Sequence, residues 1–156
     1  MAHLWRRSRR GRKAVLAILV IVLVSGCGKS ATEVFRTERL APLQQRAEQQ
    51  TQRLEATLVQ IPRKHRSAVA RLVRQEVGAL ATTAIAIERL RPPSEVKGLF
   101  ARYTAAYATL IRALEGFTSA LEDASTQEFL RASDQAQAAT SAVHTAEEDL
   151  ARALRS

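Results

Sequence analysis

Apolar residues recur at spacings of three and four over four stretches of similar length, roughly residues 32–61, 63–91, 95–123 and 126–155. Each stretch reads as an amphipathic helix. The third is the clearest, with Phe100, Tyr103, Tyr107, Leu110, Leu114, Phe117 and Leu121 on one stripe. The fourth repeats the pattern with Phe129, Ala132, Ala136, Ala139, Val143, Ala146 and Leu150, whose small side chains let a neighbouring backbone approach. In the second, Val69, Val73, Val77, Leu80, Ala84 and Ile87 form the stripe, and Leu72, Ile85 and Leu90 widen it. The first carries Leu40, Leu43, Ala47, Leu54, Leu58 and Ile61, but Gln50 stands at an apolar position and Pro42 interrupts the early turns. A proline there predicts a kink or a late helix start, because it lacks an N–H and crowds the preceding turn.

Boundary residues agree with this division. Ser30 with Glu33 and Ser125 with Glu128 have capping-box spacing, Ser94 after Pro92-Pro93 fits an N-cap, and Pro62 suits a first helical position. Strand signals are absent. Short connections favour antiparallel neighbours, so the expected fold is all-α, an up-down-up-down four-helix bundle. The alternative is a three-helix bundle with the first helix splayed away or kinked near Pro42.

Upstream of the helices the pattern changes. Arg6, Arg7, Arg9, Arg10, Arg12 and Lys13 precede an apolar run over residues 14–24, with no acid among them. This is the order of a secretory signal. As a helix the run reaches only about 17 Å, short of the roughly 30 Å hydrocarbon core of a bilayer. Val24-Ser25-Gly26-Cys27 follows and resembles the lipobox of bacterial lipoproteins. The resemblance implies cleavage between Gly26 and Cys27 and a diacylglyceryl thioether on Cys27. Two acyl chains suffice for stable attachment where one does not. Cys27 is the only cysteine, so it has no partner for an intramolecular disulfide. The alternative is an uncleaved short anchor. Ser8-Arg9-Arg10 resembles the start of a twin-arginine signal, but Arg12 and Lys13 stand where that motif takes apolar residues, so unfolded export is expected. Gly28 resembles the pattern released toward the outer membrane in two-membrane cells.

The expected organisation is therefore a signal peptide over 1–26, a lipidated N-terminus and short tether over 27–31, and a helical bundle domain over 32–156. Removing the signal changes the charge picture. It holds six of the 24 basic side chains and none of the 15 acids, so the formal charge falls from +9 to +3. That excess is no footprint for nucleic acid. The remaining 130 residues suit one domain that is stable without disulfides or metal.

A second resemblance rests on Glu88-Arg89-Leu90-Arg91-Pro92-Pro93-Ser94-Glu95-Val96 followed by a long helix. It is similar to small helical lipoproteins of actinobacterial type, which share a leucine and double-proline turn between their second and third helices. That family implies the bundle and supplies no site residues.

Candidate chemistry is sparse. Met1 is the only methionine and Cys27 the only cysteine, so Cys-x-x-Cys-His haem attachment is impossible. Neither His65 nor His144 follows a Glu at the spacing of di-iron bundles. His144, Glu147 and Glu148 share a helical face that reads as a solvated polar face rather than a metal site. Arg63, Lys64, His65 and Arg66 form a basic cluster that reads as a solvated helix start. Gln44, Gln45, Gln49, Gln50 and Gln52 read as a polar face with one imperfect core layer. Phe100, Tyr103, Tyr107 and Leu110 are the candidate lining of a small pocket, set against ordinary core packing. No Gly-x-Ser-x-Gly elbow occurs, and no catalytic residue, metal or cofactor is expected. If Cys27 tethers the bundle closely, Arg89, Arg91, Arg152 and Arg155 face lipid headgroups.

These readings lead to a non-enzymatic, membrane-anchored lipoprotein on the exported face of the cell envelope. Its partners are the membrane, through Cys27, and an envelope protein for which the bundle is an interaction or scaffold module. The alternative is a binding protein holding a small apolar or cell-envelope ligand between helices.

Overall fold

The computed structural model describes residues 29–59, 66–123 and 125–155, and their regular structure is entirely helical. Gly26, Cys27 and the rest of the expected signal lie outside the described residues, as do Ile61, Pro62, Arg63, Lys64 and His65. The first bundle helix is composite: α1 (Ala31–Val34) runs through a π-helical segment (Phe35–Leu40) into α2 (Ala41–Leu58). It is followed by α3 (Arg66–Glu88), a 3-10 turn (Ser94–Val96), α4 (Lys97–Asp123) and α5 (Thr126–Ala153). Consecutive helices pack against one another, which gives the all-α four-helix bundle.

Pro42 explains the π segment. It cannot donate to the carbonyl of Glu38, and its ring would crowd that carbonyl in a regular helix. The helix widens instead, and the Ala41 N–H donates to the Arg36 carbonyl, five residues back. Neither a late start nor a splayed first helix results, since the helix begins at Ala31 and Phe35, Leu40, Ala47 and Leu54 are all buried in the common core. The widening also decides which side chains point inward. Positions five apart on an α-helix lie about 140° from one another, yet Phe35 and Leu40 are both buried.

The other stripes pack as their spacing requires. All seven stripe residues of α4 are buried, and Val69, Val73, Val77, Leu80 and Ile87 of α3 meet them. Ile85 does not widen the buried face of α3 but stands 49 % exposed. On α5, Ala139, Val143 and Leu150 are buried, and Phe129, Ala132, Ala136 and Ala146 pack against the core from partly covered positions. Aromatic rings form a ladder along α4. Phe35 meets Phe100 edge-on at 5.6 Å, Phe100 lies 6.4 Å from Tyr103, and Tyr103 meets Tyr107 edge-on at 5.1 Å.

The helix boundaries follow local chemistry. Ser125 opens α5 with a full capping box: its Oγ accepts from the Glu128 N–H, and the Glu128 carboxylate accepts from the Ser125 N–H at 2.9 Å. The Ser125 hydroxyl also donates to that carboxylate, at 2.8 Å, and with the Ser125 N–H it holds the Glu128 carboxyl below its ordinary range. Ser94 does not cap. Pro93 occupies that position in an extended conformation, and Ser94 is the first residue of the 3-10 turn. An ion pair of 2.6 Å between Arg74 and Glu122 links α3 to α4 on the surface. No helix among the described residues is long and apolar enough to cross a membrane.

Candidate functional site

Three of the four seams between neighbouring helices are closely packed: α2 against α3, α3 against α4, and α4 against α5. The fourth seam, between the first helix and α5, is not. The Gln-rich face of α2 meets the alanine, serine and threonine positions of α5, and neither side carries enough apolar bulk to fill the space. At one end the seam is drawn together, where the Arg36 guanidinium donates to the Leu154 carbonyl at 3.5 Å and the Gln44 amide donates to Glu147 at 2.9 Å. Beyond those contacts it opens into a cleft with two chambers.

The first chamber has a volume of about 640 Å³ and is the more polar of the two. Gln44, Gln45, Glu48, Thr51, Gln52 and Glu55 border it from α2, with His144 and Glu147 from α5 and Tyr107 and Leu110 from α4. That volume falls within the roughly 300–1,000 Å³ usual for small-ligand sites. The second chamber, about 230 Å³, reaches the middle of the bundle. Leu54, Leu58, Leu80, Leu114, Phe117 and Ala136 make it apolar, so all four helices contribute. Thr51, Glu55, Leu110 and Thr140 border both chambers, which makes them one continuous cleft.

Burial perturbs the groups around the polar chamber. Glu147 is half-buried, and desolvation pushes its carboxyl above the ordinary value, with Glu48 adding repulsion and His144 and Gln44 opposing the rise. Desolvation likewise raises both tyrosine hydroxyls, Tyr103 more strongly. The Tyr103 side chain is fully buried beside Gln44 and Tyr107, yet its hydroxyl meets no partner at hydrogen-bonding geometry. The Gln50 side-chain oxygen is buried and unpartnered too, which is the imperfect core layer that its position in the first stripe implies.

The four residues expected to line a pocket divide into two pairs. Tyr107 and Leu110 do so, whereas Phe100 and Tyr103 are packed into the aromatic ladder and border neither chamber. The sequence does not single out Glu48, Glu55, Thr51 or Thr140 for this role. A signal was nevertheless present, because a glutamine-rich face and an alanine-rich face placed first and last in an up-down bundle must meet at a poorly filled seam.

His144, Glu147 and Glu148 border a shallow surface depression with Arg152 and Arg155. Among the described residues no three His, Cys, Asp or Glu side chains are disposed to hold a metal ion. Arg66, the described member of the basic cluster, lies 6.0 Å from the Phe129 ring centre. The chain matches no protein-family model, no curated protein and no solved structure.

Proposed function

We propose that this chain is a lipid-anchored lipoprotein of the bacterial cell envelope whose bundle is a non-enzymatic binding module. The anchor reading rests on the sequence: a basic start, a short apolar run, and Val24-Ser25-Gly26 before Cys27. Of the two roles raised by the sequence, scaffold for an envelope protein and binder of a small ligand, the second is favoured by one observation. The seam between α2 and α5 holds a two-chambered cleft that enters the core of the bundle.

A bundle that served only as a rigid scaffold gains nothing from an unfilled core layer, since each lost packing contact lowers stability. A binding module needs that space. The cleft supplies apolar walls for burial and a few polar groups for orientation, the usual division of labour in ligand sites.

The test uses the full chain in phospholipid vesicles and a diazirine-bearing alkyl alcohol as a neutral photoprobe. Saturable adducts are expected on peptides carrying Leu114 and Phe117. Thr140→Trp, which places bulk where both chambers meet, is expected to remove them while leaving the helical circular dichroism unchanged. Adducts that never saturate, or that persist in Thr140→Trp, contradict the binding reading.

A further inference from the structure

The two chambers differ in chemistry, and the difference specifies a class of ligand. Resting on the binding-module reading above, we infer that the cleft takes an amphiphile with a cationic ammonium head and one alkyl tail. The head sits between Glu48, Glu147 and Tyr107, and the tail runs toward Leu58 and Phe117.

Charge is the first argument. Beyond the first 26 residues basic side chains still outnumber acids by 18 to 15, yet the polar chamber is bordered by Glu48, Glu55 and Glu147, with His144 facing them and no Lys or Arg among the described residues. An acidic lining in a basic chain selects for positive charge, and it repels an anionic head with the same field. Tyr107 adds an aromatic ring, and carboxylates combined with an aromatic face are the usual receptor for an ammonium group.

Shape is the second. Ala41 and Leu58 bracket the α2 side of the cleft, a span of about 26 Å at 1.5 Å rise per residue. The polar chamber is the wider and the apolar chamber the narrower, about 640 against 230 Å³. A wide polar end joined to a narrow apolar slot fits a head and a single chain, whereas two chains would require a second slot.

The experiment sets a diazirine-bearing dodecylammonium photoprobe against the full chain in phosphatidylcholine vesicles, with unlabelled dodecylammonium, dodecanol and dodecanoate as competitors. Adducts are expected on the cleft peptides, displaced by dodecylammonium at a concentration at least tenfold below that needed for dodecanoate. The paired change Glu48→Gln with Glu147→Gln, isosteric and without new bulk, is expected to weaken dodecylammonium about tenfold relative to dodecanol. Equal displacement by the cationic and anionic competitors overturns the charge assignment while leaving the cleft as a binding site. No saturable adduct from either the cationic or the neutral probe overturns both readings.

Discussion

Tyr103 and Glu147 stand on opposite sides of the same local conflict, polar atoms held in a space too dry for them. Replacing Tyr103 with Phe keeps the ring in its ladder and deletes the unpartnered hydroxyl. An unsatisfied buried polar group costs about 1–3 kcal/mol, so Tyr103→Phe is expected to raise the thermal midpoint by about 3 °C or more. A lower midpoint would mean that the hydroxyl is paired in solution. Glu147 acts through pH. Its folded carboxyl binds a proton more tightly than the ordinary value of 4.5, so the folded state holds the extra proton and stability falls as pH rises through that raised range. His144, Glu48 and Gln44 act on the same carboxyl, and because it is half-buried the effect is small. Glu147→Gln should match the parent at pH 4 and exceed it by about 1–2 °C at pH 7, as read by thermal melts across that range. A constant difference between the two proteins at every pH would contradict the assignment.

At the scale of elements, the capping box of α5 is the clearest single stop between helices. Ser125→Ala removes the acceptor of the Glu128 N–H and is expected to lower the thermal midpoint by about 4 °C, whereas Ser94→Ala, at a position that does not cap, should change it by less than about 1 °C. Most of this level was legible in the sequence, because a stripe such as Phe100 to Leu121 has one physical solution, a helix with that face buried. What periodicity could not convey was the change of period itself. Phe35 is buried only because the π segment ahead of Pro42 turns positions five apart onto one face, and a search at α-helical spacing passes over it. Ile85 misleads in the opposite direction, since an apolar residue beside a stripe is buried only if a neighbour covers it, and on α3 none does. The cleft was half-legible for the same reason. Tyr107 and Leu110 could be picked from the stripe of α4, but Glu48, Thr51 and Thr140 acquire meaning only once the first and last helices are set side by side.

For the whole molecule, the distribution of charge and hydrophobicity divides the chain in two. The first 26 residues carry basic and apolar side chains and no acid, while all 15 acids lie beyond them. In the function proposed above, the first segment serves export, and the four-helix bundle with its acid-lined cleft is what is exported. On this account Cys27 joins the two roles, holding a binding module at a lipid surface where an alkyl-chain ligand is concentrated. The measurement that tests this most directly is the intact mass of membrane-extracted protein from cells producing the native chain or Cys27→Ala, with labelled fatty acid as tracer. The account predicts a native product that starts at Cys27 and carries labelled lipid, and a Cys27→Ala product with neither. A native product that retains residues 1–26 and carries no lipid would contradict it.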